Sequence, residues 1–217
     1  MTSDVATVAA AAEQIRNRIA DAGGDNDRIT LVAVTKGQPA TVVRAAVAAG
    51  LAAIGESYAQ ELASKAAELD DLASAVRWHF VGQLQRNKVR LVAPDVALWQ
   101  SVDRLTLGSE IARRAPGAQV LVQVNLTDDP ARGGARPELV PGVVDGLGDL
   151  GLDVRGLMAV APQGGVDAAS SGFAAVAALA DRLGLVERSM GMTGDLEIAV
   201  QAGATMVRVG TALFGAR

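Results

Sequence analysis

A lysine at the end of an apolar segment is the first residue of this chain whose type and place could do chemistry. Lys36 directly follows the predicted strand Ile29–Thr35, and the chain holds only three lysines among its 20 basic residues. A lysine beside an apolar strand is partly removed from water, which disfavours the ammonium form and leaves the amine able to condense with an aldehyde. Two plainer interpretations stay open: the side chain could extend to solvent, or it could pair with Glu56. We expect Lys65 to lie on a solvated helix face and Lys88 to lie in a basic turn.

Two segments in the last part of the chain carry the donors of an anion site. Met192–Glu197 runs from a predicted strand end into a helix, where Thr193 or Asp195 can cap the first turn. Arg208–Thr211 follows the next predicted strand, where Gly210 lets the backbone come close to a ligand and Thr211 adds a hydroxyl. Donors after the seventh and eighth strands are typical of the phosphate site of β/α barrels. The pattern favours a phosphorylated ligand, with helix capping alone as the alternative.

Three other polar side chains lie at or near predicted strand ends. We expect Arg208 to face the ligand, although a structural ion pair with Asp103 or Glu56 is the alternative. His79 lies between two aromatic residues of an apolar strand, and we expect a hydrogen-bonded core residue there instead of a catalyst. Tyr58 follows the second strand and could stack on a ligand, act as an acid or simply pack.

The elements that must position these residues are short strands alternating with Ala-rich segments of helical period, a pattern that predicts βα units and a parallel sheet. Eight segments qualify as strands: Ile29–Thr35, Ala52–Ile54, Arg77–Val81, Ala97–Ser101, Gln119–Asn125, Val154–Val160, Glu187–Gly191 and Thr205–Val209. Helices are predicted between them at Pro39–Ala49, Ser57–Leu69, Leu84–Val92, Arg104–Arg114, Pro137–Leu150, Val166–Leu183 and Gly194–Ala202.

An open dinucleotide-binding sheet would need a Gly-x-Gly-x-x-Gly turn after the first strand, and Thr35–Pro39 lacks it. We therefore favour an α/β fold of the TIM-type (β/α)8 barrel class, with residues 1–217 forming a single domain. In such barrels the chemistry lies at the C-terminal ends of the strands.

Composition excludes several classes of protein. The net charge is −4 with both signs interspersed, so no basic stripe is available for nucleic acid. The absence of cysteine and the single histidine exclude thiolate catalysis and clustered metal ligands, so we expect no metal. Val5–Ala12 follows an aspartate where a signal peptide needs basic residues, so it predicts a first amphipathic helix. No segment approaches the roughly 20 apolar residues of a membrane span. We expect a cytoplasmic protein that binds neither nucleic acid nor membrane.

Six segments carry a combined pattern in a fixed order: Leu31–Lys36, Ile54–Tyr58, Trp78–Lys88, Gly156–Ala159, Ser189–Asp195 and Val207–Gly215. Together they resemble the pyridoxal phosphate homeostasis protein family, whose barrel is similar to the N-terminal barrel of alanine racemase. The resemblance implies that pyridoxal 5′-phosphate (PLP) is held as a Schiff base on Lys36, with Arg208 facing the pyridine nitrogen. It also implies further cofactor-binding residues, which are Ser57 and Met158, and for the phosphate Ser189, Thr193, Gly210 and Thr211.

Two positions depart from the usual pattern of that family. Ser57 stands where the family usually has asparagine, so a contact expected from an amide is in doubt because the serine hydroxyl reaches less far. Thr193 stands where serine is more common, which keeps the hydroxyl.

The implied arginine favours binding over catalysis. PLP acts as an electron sink most strongly when a carboxylate keeps its pyridine nitrogen protonated, and an arginine favours the neutral ring instead. Arginine alone does not exclude catalysis, because the racemase that this fold resembles also has one there. Racemisation needs an acid or base on each face of the α-carbon, and the racemase takes one from a second domain. Only six residues follow Thr211, so we expect no such domain here.

We therefore expect no catalytic residues and a monomeric PLP carrier that serves PLP homeostasis and amino-acid balance. Its partners would be PLP-dependent apo-enzymes and free amino acids. Two alternatives stay open: a PLP-dependent amino-acid racemase or related enzyme of weak activity, and a phosphosugar-processing barrel without PLP.

Overall fold

Eight apolar segments form the strands of a closed parallel barrel in the computed structural model, which describes residues 4–127 and 129–215. Each strand pairs with the next along the chain, and the last pairs with the first. The strands are β1 (Thr30–Val34), β2 (Ala53–Glu56), β3 (Arg77–Phe80), β4 (Val96–Val102), β5 (Gln119–Val124), β6 (Asp153–Ala159), β7 (Glu187–Ser189) and β8 (Met206–Val209).

Helices connect the strands and cover the barrel, which confirms the predicted (β/α)8 class. They are α1 (Val5–Asp21), α2 (Ala40–Ala48), α3 (Ala59–Glu68), α4 (Val89–Val92), α5 (Leu105–Arg114), α6 (Val140–Asp149), α7 (Gly165–Arg182), α8 (Leu196–Gln201) and α9 (Thr211–Phe214). Short 3-10 turns lie at Asp70–Leu72, Arg86–Lys88, Pro130–Arg132 and Pro137–Leu139. Among the residues described, no helix combines the length and the apolar character that crossing a membrane requires.

Helix α1 is longer than the predicted segment Val5–Ala12 because its apolar stripe continues. Val8, Ala12, Ile15 and Ile19 recur at helical spacing, and all four are buried. The Asp4 carboxylate caps the first turn by accepting the Thr7 N–H at 2.7 Å. The stripe packs this helix against the outside of the barrel.

Two other boundaries differ from the prediction for local reasons. Within the predicted helix Leu84–Val92, Arg86–Lys88 is a 3-10 turn and only Val89–Val92 is α-helical. Strand β7 ends at Ser189 instead of reaching Gly191, whose φ of +91° cannot continue an extended strand.

Side chains of the strands alternate between the barrel interior and the helices. In β1, Val32 belongs to the small interior cluster with Leu98, Leu121 and Met206, whereas Ala33 packs against the helices. Because the side-chain period of a strand is two, the alternation carries the side chain of Lys36 to the interior side at the barrel mouth. It carries Thr35 to the helix side.

Candidate functional site

A cavity of about 410 Å³ opens at the C-terminal ends of the strands, within the usual size range of cofactor sites. Its polar wall consists of side chains that carry a positive charge or are neutral: Lys36, Gln38, Ser57, Thr193, Arg208 and Thr211. Its apolar wall is formed by Val34, Val81, Val160, Met192 and Phe214. None of the described residues that line the cavity is a carboxylate. The site is therefore suited to an anionic ligand with an apolar body.

Lys36 lines this cavity with a partly exposed side chain. Among the residues that the structure describes, its amine has neither a hydrogen-bond partner nor a carboxylate within ion-pair distance. The alternative pairing with Glu56 is not found, because Glu56 accepts the amine of Lys65 at 2.6 Å. The one lysine that faces the cavity thus keeps its amine for a ligand.

The prediction that Lys65 lies on a solvated helix face is wrong. Only 5% of Lys65 is exposed, and its amine donates to Glu56, to Glu61 and to the Thr35 carbonyl. Its turn of α3 lies against the ends of β1 and β2, where two carboxylates neutralise a buried ammonium. The Ala-rich sequence around it gave no sign of this burial.

The anion side of the cavity is formed by the segments after β7 and β8. Thr193, Gly194, Gly210 and Thr211 line one wall, which brings together the two donor segments predicted from the sequence. The carbonyl of Thr193 accepts the Arg18 guanidinium of α1 at 2.9 Å, which ties this loop to the outer helix. A Cβ added at Gly194 would meet no atom within 4 Å, so the backbone there is open to a ligand.

Arg208 is buried beside the cavity without a carboxylate partner among the described residues. Its guanidinium donates to the Ser189 carbonyl and hydroxyl at 2.7 Å each, and to the Ala159 carbonyl at 2.8 Å. The alternative ion pairs with Asp103 or Glu56 are not found. Burial lowers the pKa of Arg208 to about 10, which leaves it charged at neutral pH. The barrel therefore holds a positive charge at the cavity wall that no described carboxylate pairs with directly, although Asp195 acts on it from beyond ion-pair distance.

A chain of hydrogen bonds extends from Arg208 across the barrel interior. The Ser189 hydroxyl accepts from Arg208 and donates to Gln100 Oε1 at 2.6 Å, so the amide nitrogen of Gln100 faces His79 Nδ1 at 2.8 Å. Gln100 donates there, and the proton of the neutral imidazole is on Nε2. His79 is 2% exposed, as the prediction of a core residue required. Burial lowers the pKa of His79 to about 4, and the charge of Arg77 adds to the decrease.

This histidine should make the stability of the protein without ligand depend on pH. Unfolded His79 takes up a proton below about pH 6.5, whereas the folded protein resists protonation until about pH 4. The free energy of unfolding should therefore fall by about 3 kcal/mol as the pH drops through that window. His79→Asn keeps an acceptor towards Gln100 and should remove most of this slope in urea unfolding at pH 7 and pH 5.

The comparison of the two proteins isolates His79, since it is the only histidine of the chain. Burial raises the pKa of Glu56, which acts on stability with the opposite sign in the same window, but both proteins share it. An unchanged slope in His79→Asn would contradict the assignment.

The structure does not bring every predicted site residue to the cavity wall. Lys36, Ser57, Thr193, Arg208, Gly210 and Thr211 line it. Ser189 and Met158 lie below it, at 0% and 1% exposure. Both are interior residues of the barrel, where Ser189 holds Arg208 and Met158 packs against Val32 and Leu121. Tyr58 is 58% exposed and lines a neighbouring cavity instead.

Sequence reasoning missed part of the wall. Gln38 and Met192 line it next to predicted residues, and Phe214 and Gly215 reach it from α9, which was not predicted. The polar chain through Gln100 was also missed, because its partners lie 21 and 89 residues away. The one available signal was a glutamine inside a largely apolar strand.

Comparison with known proteins gives three findings. The family model described as alanine racemase, N-terminal domain, matches residues 4–217. The pyridoxal phosphate homeostasis protein of Pseudomonas aeruginosa is 40% identical over 227 residues, covering 100% of this chain and 97% of that protein. PipY of Synechococcus elongatus, solved with PLP bound, has a TM-score of 0.80 at 35% identity, covering 93% of this chain and 100% of that chain.

A third protein is similar in fold alone. Alanine racemase from Streptomyces coelicolor has a TM-score of 0.78 at 22% identity, covering 99% of this chain and 59% of that chain.

Proposed function

Because the chain belongs to the pyridoxal phosphate homeostasis proteins, within the alanine racemase N-terminal domain family, we propose that it binds PLP at the barrel mouth and buffers or delivers this cofactor. One observation carries the proposal. A single cavity combines a lysine amine that has no partner among the described residues with a buried, charged guanidinium, and no carboxylate lines its described wall. A ligand that is both an aldehyde and an anion satisfies this combination.

The residues present fit each part of PLP. When bound, PLP supplies an aldehyde that a lysine amine can hold as a Schiff base. Lys36 supplies this amine in the cavity. The valine and phenylalanine side chains that line the cavity offer an apolar wall to the ring. We assign the phosphate to the hydroxyls of Thr193 and Thr211 with the backbone at Gly194 and Gly210.

Arg208 would orient the ring and set its charge. A guanidinium donates and cannot accept, so it favours an unprotonated pyridine nitrogen. Ser189 would act indirectly, because its carbonyl and hydroxyl fix two of the hydrogen bonds of Arg208. We assign Met158 a packing role below the cavity and Ser57 a place on its wall.

We further propose that the protein carries PLP without turning over a substrate. Racemisation needs a second acid or base across the cavity from the lysine. The described wall of the cavity holds no histidine, tyrosine, aspartate or glutamate. His79 is buried below it with Nδ1 engaged, and Tyr58 faces another cavity. Free amino acids and apo-enzymes would then be acceptors of the cofactor.

The delivery role predicts transfer of the cofactor. Protein loaded with PLP and freed of excess should restore activity to a PLP-dependent apo-enzyme, because an amine can displace Lys36 by exchange. Activity recovery over time measures the transfer, with Lys36→Ala protein prepared in the same way as control. If free PLP restores the apo-enzyme but loaded protein does not, delivery is contradicted.

The same loaded protein separates a carrier from a weak racemase. In heavy water with either enantiomer of alanine, we expect α-deuteration no faster than free PLP gives, as followed by proton NMR. Deuteration at an enzyme-like rate would instead establish the racemase alternative.

A further inference from the structure

The backbone on both sides of Lys36 is held by side chains from β2 and α3. The Thr35 hydroxyl donates to Glu56 Oε1 at 2.6 Å, and the Thr35 carbonyl accepts the Lys65 amine at 2.7 Å. On the other side, the Gly37 N–H donates to Glu61 Oε1 at 2.6 Å. The residue before Lys36 and the residue after it are thus both fixed.

The groups that hold these two residues form one connected set. Lys65 donates to Glu56 at 2.6 Å and to Glu61 at 2.7 Å, so a single ammonium joins the two carboxylates. Glu56 is fully buried and Lys65 nearly so. Hydrogen bonds of this length between charged and polar groups are strong and directional.

A buried ion pair is a weak way to stabilise a fold, because desolvation of both charges offsets their attraction. The hydrogen bonds that its carboxylates and ammonium make to Thr35 and Gly37 beside Lys36 explain better why the ion pair is present. Gly37 has a φ of +73°, so the chain turns sharply just after Lys36, and Glu61 satisfies the N–H at that turn. By contrast, the Lys36 side chain has no described partner and is held only through its backbone.

We propose that Glu61, together with Glu56 and Lys65, positions Lys36 by fixing its backbone so that the amine reaches the ligand's aldehyde. This rests on the proposed function, since it concerns covalent capture of PLP. None of the three side chains lines the cavity, so they act through Thr35 and Gly37 and touch no ligand. Loss of these hydrogen bonds to Thr35 and Gly37 should weaken covalent binding of PLP by the Lys36 amine and leave the rest of the site intact.

The test compares two ligands that differ only at the reacting group. PLP has the aldehyde, whereas pyridoxine 5′-phosphate has an alcohol in its place and shares the ring and phosphate. Glu61→Ala should lower the affinity for PLP about tenfold, because a displaced amine condenses less favourably. Its affinity for pyridoxine 5′-phosphate should stay within about twofold, since that ligand does not use the amine.

Two variants control the result. Glu61→Gln keeps an oxygen that accepts the Gly37 N–H and should restore most of the PLP affinity. Glu68→Ala removes an exposed carboxylate from the same helix and should change neither affinity.

The remaining outcomes are distinguishable. If Glu61→Ala weakens both ligands equally, Glu61 supports the shape of the cavity and the positioning role is overturned. If it weakens neither, the role is likewise overturned while PLP binding by the unaltered protein still supports the proposed function. An unaltered protein that does not bind PLP overturns the proposed function and this inference with it.

Discussion

Lys36→Ala should abolish covalent retention of PLP and lower its affinity by about 100-fold or more, equal to about 3 kcal/mol. The variant loses the amine that can link to the aldehyde, while the anion side of the cavity stays in place. Neither remaining lysine can replace it. Lys65 is buried between two carboxylates, and Lys88 lines a separate cavity beside Tyr58.

The measurement is a PLP titration followed by the visible absorbance of the Schiff base, with Lys88→Ala as the matched lysine control. The control should bind as the unaltered protein does. Equal PLP affinity in Lys36→Ala and the unaltered protein would mean that another group holds the cofactor.

Arg208→Met should weaken PLP binding by about tenfold to 100-fold, as expected for loss of one charge-assisted interaction. Burial lowers the pKa of Arg208 to about 10, and the charge of Asp195 opposes this decrease only in part. No described carboxylate lies within ion-pair distance of the guanidinium, so an anionic ligand gains from this residue. Stability without ligand should change less than binding does. The substitution leaves the carbonyls of Ser189 and Ala159 without their donor, which lowers the free energy of unfolding. It also removes a buried charge, which offsets that loss.

Arg28→Met is the matched control, since the Arg28 side chain is 86% exposed. Fluorescence titration with PLP gives the affinities, and urea unfolding without PLP gives the stabilities. A PLP affinity of Arg208→Met within twofold of that of the control would show that Arg208 does not contribute to PLP binding.

The barrel could be predicted from the sequence because its strands and helices are each marked by a short, continuous sequence pattern. Apolar runs such as Leu31–Val34 and Val120–Val122 mark strands buried on both faces, and short helical segments separate them. The boundaries that failed depend on backbone geometry. Gly191 at positive φ ends β7 early, and the 3-10 turn at Arg86–Lys88 replaces the first part of a predicted helix.

The site could be predicted in part because strand ends of a barrel converge. That rule alone brought Lys36 and the two donor segments to one mouth. It could not show whether a given side chain points into the cavity or into the closed interior below it. Ser189 and Met158 follow the same rule, yet both point into the closed interior below the cavity.

Burial of charge was the least predictable property. Lys65 lies in an Ala-rich helix segment, and the i, i+4 spacing to Glu61 was the only local sign of an ion pair. Glu56, which decides its burial, belongs to another element and meets it only in the folded barrel. The single-domain, monomeric and cytoplasmic expectations stay predictions.

The most direct measurement traps PLP on the protein with borohydride and maps the modified peptide by mass spectrometry. Reduction fixes a Schiff base at the residue that formed it. We predict one label per chain, on the peptide that contains Lys36. A label on Lys65 or Lys88, or no label with PLP in excess, would contradict the account.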